Sequence, residues 1–326
     1  MCFACTGTGS SPVRSVTFHS LSLTTQSTNA PTASGSDFSI AMAETFRVAC
    51  VQNCAERDMA PSIAALEPLI RGAAGDGAEL IVLPEMATML EPQNPKVLEK
   101  AVAEEVDPGL ASFRALAQET GAWILVGSLL IKLPGENRVV NRSYLVDPKG
   151  AITARYDKLH LFDVDLASGE TYRESATVKA GSRAVLAASP WGPIGMTVCY
   201  DLRFAYLYRA LAQAGARYLT VPAAFTYTTG KAHWEILVRA RAIETGSFVF
   251  AANQGGVHAE GRKTYGHSLI VAPWGEVLAD AGDEVGFVTA RIDPAKIAEA
   301  RGMVPALTHD RGFSPPPAEG LRVAGE

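Results

Sequence analysis

Three polar side chains of different chemistry stand where apolar runs stop. Cys199 closes "IGMTVC" ahead of the helically spaced "FAYLYRALAQAG", Glu85 follows "LIVLP", and Lys158 ends "AITARYDK". A thiol between a buried strand and a helix lies near backbone N–H groups and the positive end of the helix dipole, both of which favour thiolate. Singly, each residue has an ordinary explanation. Free cysteine is a common small buried hydrophobe, and acids and lysines mostly stand in solvent. Strand ends, however, are where sheets present sites.

Taken together, a cysteine, a lysine and a glutamate make a complete acyl-transfer set. An ammonium lowers a thiol pKa, and a carboxylate can carry protons to and from reacting atoms. Attack on an amide carbonyl places charge on oxygen, which Lys158 and the N–H just after Cys199 are suited to meet. Glu85 would protonate the departing amine and activate the water that hydrolyses the thioester. The scheme calls for no metal and no cofactor. The rival pairing is cysteine with histidine, for which His160 and His233 are the candidates.

These groups need elements to hold them. With 326 residues, 48% of them apolar and 19% charged, the chain has material for a large core. Its net charge of −5 is spread without basic runs. That argues against nucleic acid or an anionic membrane as partner and leaves a small molecule or a protein. No stretch reaches the roughly 18 uninterrupted apolar residues of a membrane span. The five cysteines are too few and too scattered for a disulfide framework, which fits a reducing cytoplasm.

Residues 1–41, rich in Ser, Thr, Gly and Ala, read as a disordered extension with Met42 as a candidate start. Residues 42–312 read as one domain, and 313–326, with "SPPPAEG", as a flexible tail. Within the domain, strand 46–52, helix 62–78 and strand 79–85 form a βαβ unit. A helix near 109–120 and a strand through "AWILVGSLLI" follow. The turn signal at residues 147–150 then joins two strands. Next come a hairpin over 184–199, a helix over 203–214, a strand at 217–225, a helix over 233–246, a strand at 248–253 and a meander to 293. The pattern predicts a mixed α/β domain with sheets covered on both faces.

In order along the chain, "LIVLPE", "YDKLHLFDVDL", "YRES" and "GMTVCYDLRF" resemble the motifs of the nitrilase superfamily of carbon–nitrogen hydrolases. The likeness runs from about Phe46 to Arg311. It implies an αββα sandwich that associates into a four-layer homodimer, a Glu–Lys–Cys triad at Glu85, Lys158 and Cys199, and a thioester mechanism. The superfamily's second glutamate maps to Glu174, with Glu170 the alternative. Cys199-Tyr200-Asp201 departs from the Cys-Trp-Glu of nitrilases and favours an amidase. "CYDLRF", "TTGKAHWE" and "YGHSLIVAPWG" resemble the branch of ω-amidases and deaminated-glutathione amidases, leaning toward the latter. The implied reaction splits deaminated glutathione into 2-oxoglutarate and cysteinylglycine. An ω-amidase acting on α-ketoglutaramate, an N-carbamoyl amino acid hydrolase, and a catalytically silent binding subunit are the alternatives.

The remaining polar residues carry smaller expectations. Tyr200, Arg173, Thr228 and Thr229 are candidate substrate contacts, Arg173 through a carboxylate, and Lys231 shares the loop of the two threonines. Asp201 and Arg203 suggest an ion pair or a helix cap.

Overall fold

The computed structural model describes residues 44–166 and 169–314. The N-terminal extension and residues 315–326 of the expected tail lie outside the described residues. The chain opens with β1 (Phe46–Gln52), α1 (Met59–Gly75), β2 (Leu80–Val82), α2 (Asn94–Lys100), α3 (Pro108–Thr120), β3 (Trp123–Lys132), β4 (Val139–Val146) and β5 (Ile152–Asp157). A small ribbon, β6 (Asp163–Asp165) with β7 (Thr171–Arg173), leads to β8 (Val185–Ala187), β9 (Ile194–Met196), α4 (Ala205–Gln213), β10 (Tyr218–Thr220), α5 (Tyr227–Thr245) and β11 (Phe248–Ala251). A second ribbon, β12 (Gly255–Val257) with β13 (Lys263–Tyr265), precedes β14 (Leu269–Val271), β15 (Val277–Asp280), β16 (Gly286–Ile292) and α6 (Ala295–Met303).

Two six-stranded sheets result, ordered β16-β1-β2-β3-β4-β5 and β15-β14-β11-β10-β9-β8. Each has three parallel strands flanked by antiparallel ones: β1, β2 and β3 in the first, β9, β10 and β11 in the second. Such strands are buried on both faces, which is why their sequences are continuous apolar runs rather than alternating ones. Phe46, Val48, Leu80 and Leu125 of the first sheet share a core with Ile194, Met196, Phe250 and Ile270 of the second. The far face of the first sheet, through Ala49, Ile81 and Val126, takes Leu66 and Ile70 of α1 and Leu110 and Phe113 of α3. Leu207 and Leu211 of α4 and Trp234 and Val238 of α5 pack into the core of the second. The fold is an αββα sandwich.

The elements differ from the sequence expectation at their ends. The βαβ helix runs 59–75, and the strands ahead of Glu85 and at 218 have only three residues each. Helix α5 begins at Tyr227, six residues early, so Thr228, Thr229 and Lys231 belong to its first turns and not to a loop. Two threonines and a glycine are poor helix formers. Tertiary contact overrides that here, because Gly230 lies so close to Tyr265 that a Cβ would stand 2.3 Å from the tyrosine Cβ and 2.5 Å from its ring. Helices α2 and α6 bury only Val97 and the pair Ile297 and Ala300, too little to leave a periodic signal. Among the described residues no helix is long and apolar enough to cross a membrane.

One glycine fixes the approach of β3 to the turn that carries Glu85. A Cβ at Gly127 would stand 2.0 Å from the Leu83 carbonyl oxygen and 2.2 Å from that of Pro84. The strand's register shifts there, between Val126 and Leu129. Next door, the Ser128 hydroxyl oxygen accepts from the Met86 N–H at 2.9 Å, and the Ser128 carbonyl accepts from the Ala87 N–H at 3.0 Å. Gly127→Ala is therefore expected to cost about 1–3 kcal/mol by overpacking and to lower kcat by displacing Glu85. Denaturant unfolding beside steady-state kinetics would check both, and an unchanged variant would show that the turn is not held by this contact.

Candidate active site

Each of the three groups stands just past a strand and is fixed by backbone contacts from other elements. Glu85 follows β2, and its carbonyl accepts from the Gln254 side chain at 2.9 Å. Lys158 follows β5. Its N–H donates to the Asn141 carbonyl at 3.0 Å, and its carbonyl accepts from the Gly181 N–H at 2.8 Å. The strand end before it is clamped by the Arg142 guanidinium, which grips Asp157 at 2.6 and 2.9 Å. Cys199 opens a short 3-10 helix, Cys199–Arg203, with φ of +50°, and its N–H donates to the Pro222 carbonyl at 2.8 Å. A left-handed backbone is uncommon for a side chain with a Cβ and marks a sharp, held turn. Met86, directly after Glu85, also has φ of +50°.

The side chains converge. Lys158 Nζ donates to Glu85 Oε1 at 2.8 Å and to both Glu174 oxygens at 3.0 and 2.8 Å. Asn141 Nδ2 donates to the same two carboxylates, at 2.9 Å to Glu85 and 3.2 Å to Glu174. Glu85 Oε2 accepts from the Ala224 N–H at 2.9 Å, and Glu174 Oε2 from the Phe162 N–H at 2.7 Å. The Cys199 thiol stands beside the Glu85 carboxylate, close enough for each to shift the other's proton affinity. Glu85 and Lys158 are each 2% exposed. A buried ammonium between two hydrogen-bonded carboxylates meets the condition under which buried charge is tolerated.

The charges set the protonation states. Burial pushes the Glu85 carboxyl up, but the Lys158 ammonium and three hydrogen bonds outweigh it and hold the group below the usual carboxylate value. Burial alone would push Lys158 down, yet the Glu174 and Glu85 carboxylates raise it well above the usual ammonium. Cys199 goes the other way from its sequence expectation. Burial, and then the Glu85 carboxylate, push the thiol well above its ordinary value despite Lys158. The resting site therefore holds a protonated thiol against an ionised carboxylate.

These groups open onto a cavity of about 530 Å³ whose walls include Phe162, Tyr172, Tyr200, Phe225, Arg173, Thr229 and Arg262. Such a volume suits a small organic substrate. Tyr200 packs edge-on against Phe162 at 5.1 Å between ring centres. Thr229 lines the wall, its hydroxyl 2.7 Å from that of Thr226, whereas exposed Thr228 lies outside the lining, its hydroxyl 3.5 Å from Glu170. Arg173 reaches the wall, but Asp165 takes its guanidinium through two 2.8 Å bonds. That ion pair is solvent-exposed, so Arg173 stands at the wall already paired, and its role as a carboxylate ligand remains a proposal. Glu174, not Glu170, contacts Lys158, and Glu170 accepts from the Tyr172 hydroxyl at 3.1 Å.

Asp201 and Arg203 do not pair. Asp201, fully buried, caps the Val198 N–H at 2.8 Å and accepts from the Tyr156 hydroxyl at 2.6 Å and the His160 N–H at 3.1 Å. His160 stacks on Phe204 at 3.6 Å and holds Asp201 through Nδ1 at 2.7 Å, which makes it a strut for the Cys199 turn. Arg203 contacts His233 instead. Among the described residues no histidine bonds Cys199, so the cysteine–histidine pairing is not formed. Asn141 was missed by sequence reasoning, since an asparagine inside a strand carries no local sign that its amide faces two carboxylates.

Comparison with known proteins gives the family. The family model described as carbon–nitrogen hydrolase matches residues 47–302. The chain is 41% identical over 268 residues to a deaminated glutathione amidase of Synechocystis sp., covering 81% of this chain and 97% of that one. The Caenorhabditis elegans NitFhit protein superimposes with a TM-score of 0.77 at 34% identity, over 82% of this chain and 65% of that one. A variant amidase from Nesterenkonia sp. AN1, 25% identical with a TM-score of 0.68 over 78% of this chain and 92% of its own, carries the acetamide moiety of fluoroacetamide covalently on its active site cysteine. The extent of these matches, and the sandwich they share, establish that the chain belongs to the carbon–nitrogen hydrolases of the nitrilase superfamily.

Proposed function

We propose that the protein hydrolyses the amide of deaminated glutathione through a thioester on Cys199, releasing cysteinylglycine and 2-oxoglutarate. The observation that carries the mechanism is the buried Glu85 carboxylate, bonded to Lys158 at 2.8 Å and set beside the protonated Cys199 thiol. The thiol passes its proton to Glu85 as sulfur attacks the carbonyl carbon. Lys158 and the Tyr200 N–H, which has no partner outside its short helix among the described residues, meet the oxyanion. Collapse breaks the C–N bond, and Glu85 returns the proton to the departing peptide amine. Water then gives a proton to Glu85 and attacks the thioester; sulfur leaves and recovers that proton. Glu174 and Asn141 keep Lys158 and Glu85 in register. The name of the Synechocystis relative supports the choice of substrate.

Turnover of deaminated glutathione, α-ketoglutaramate and an N-carbamoyl amino acid, side by side, tests the choice. Preferred cleavage of the first supports it, and activity confined to another amide moves the enzyme to a sister specificity. The protonation states predict the pH profile. The competent form has Glu85 ionised, so kcat/KM falls only as pH drops through a value below the usual carboxylate of about 4.3. The thiol and the ammonium are both raised, so no alkaline limb appears near the ordinary thiol value of about 8.5. A limb there would mean that a free thiolate is not formed on demand by Glu85.

The assembly is proposed as a homodimer. Tyr206, Ile236, Ile243 and Trp274 expose 65, 69, 57 and 53% of their surface, apolar area of the kind that pairs copies of a chain. The described cysteines Cys50, Cys54 and Cys199 are all free thiols, in keeping with a reducing, cytoplasmic setting.

A further inference from the structure

Among the described residues lining the cavity, three are cations, and two of them are already ion-paired. Lys158 is held by Glu85 and Glu174, and Arg173 by Asp165. Arg262, half-buried in the wall, makes no ion pair or side-chain hydrogen bond with any described residue, and its Nε is buried without a partner. Its guanidinium lies over the Tyr172 ring, 5.5 Å from the centre. That contact directs the fork without satisfying its donors. A buried donor without an acceptor is costly, and a ligand that supplies the acceptor removes that cost.

The segment carrying Arg262 is anchored independently of any ligand. Arg262 sits between β12 and β13, and its carbonyl accepts from the His258 N–H at 2.8 Å. The His258 ring is fixed by the Ala55 carbonyl at 2.9 Å and the Thr264 hydroxyl at 2.7 Å. Burial, with Arg262 as a further cause, keeps that histidine below its ordinary pKa, so it adds no charge to compete with the arginine. Glu260, two residues away, is taken by Arg57 at 2.9 Å and by Gln93 at 2.5 Å, which leaves it unavailable to Arg262.

We infer that Arg262 is the specificity residue that binds a carboxylate of the amide substrate, the planar anion that fits its fork. The inference rests on the substrate reading above. Deaminated glutathione carries two carboxylates, one on the 2-oxo acyl part and one on the departing peptide, while the scissile amide itself is neutral. An arginine that grips either end selects acidic amides over neutral ones and does so through binding, since no reacting atom is involved.

Arg262→Gln, with Arg262→Lys as the charge-retaining variant, tests this on deaminated glutathione, α-ketoglutaramate and glutaramide. The expected result for Arg262→Gln is a KM about tenfold to a hundredfold higher for acidic amides, with kcat little changed, KM for glutaramide unchanged and partial rescue by lysine. A rise on both acidic amides assigns the oxo-acid carboxylate, and a rise on deaminated glutathione alone assigns the peptide carboxylate. Equal change on all three amides, or none, overturns the inference.

A second readout does not need turnover. Protection of Cys199 from a haloacetamide by 2-oxoglutarate or S-methyl-cysteinylglycine should require about tenfold to a hundredfold more ligand in Arg262→Gln. If the enzyme cleaves none of the three amides, the substrate reading fails while this measurement still tests Arg262. Protection that is absent from the wild type with both ligands, or equal in wild type and variant, overturns the inference.

Discussion

Cys199→Ala is expected to abolish turnover, by about 10⁴-fold or more, while leaving the fold intact. The loss is large because the thiol forms the covalent bond of the proposed pathway, and groups that act as one unit fail together. The structural cost is small. The side chain is short, it sits at the cavity wall, and the backbone turn is held by the Pro222 carbonyl, by the Asp201 cap and by the His160 strut, none of which uses sulfur. Steady-state assays, a thermal melt and intact-mass analysis after a haloacetamide would separate chemistry from folding. Activity that survives the substitution would discard the thioester route.

Lys158→Met should lose both activity and stability, and the stability loss should depend on pH. Methionine nearly matches the volume but leaves Glu85 and Glu174 facing each other without the ammonium that bonds both. Removing one partner from a buried ion cluster costs about 3–5 kcal/mol. In the wild type, Glu85 lies below its unfolded value, so its contribution to stability is present above about pH 4.3 and is lost as pH falls through the folded value. Lys158 is raised, so its contribution is present below about pH 10.4 and is lost as pH rises through the folded value.

In the variant the main charge holding Glu85 down is gone, and burial pushes it up. Protonation then relieves the strain, and the deficit relative to the wild type should shrink as pH falls from 7 toward 5. Denaturant melts across that range would check it. A deficit independent of pH would mean that the loss comes from packing and not from charge.

The contrast between these two variants reflects what each residue is for in the resting fold. Cys199 is a small group on a turn secured by others, so the fold does not depend on its sulfur. Lys158 is at once the charge that ionises Glu85, the neutraliser of Glu174 and a part of the buried wall. The same side chain therefore carries structure and chemistry, and its replacement cannot separate them by activity alone.

What the sequence determined by itself was the class of fold and the chemical set. Continuous apolar runs bounded by Pro84, by the turn at 147–150 and by glycines are readable because strand burial and turn geometry are local properties. So is the placing of a carboxyl, an amine and a thiol just past three of those runs. Tertiary structure alone decided which groups meet. Glu85 and Lys158 are 73 residues apart, and Asn141 bonds a carboxylate 56 residues before it and another 33 after. It also decided their charge. Helix position pointed to thiolate at Cys199, but burial beside Glu85 keeps the thiol protonated. Arg173 alone stood out in the sequence as a carboxylate ligand, and only folding brought Asp165 to it and set Arg262 in the cavity wall without an ion pair among the described residues. Proton affinity and the availability of a charge depend on distances across the sandwich, and these are set by packing between segments far apart in the chain.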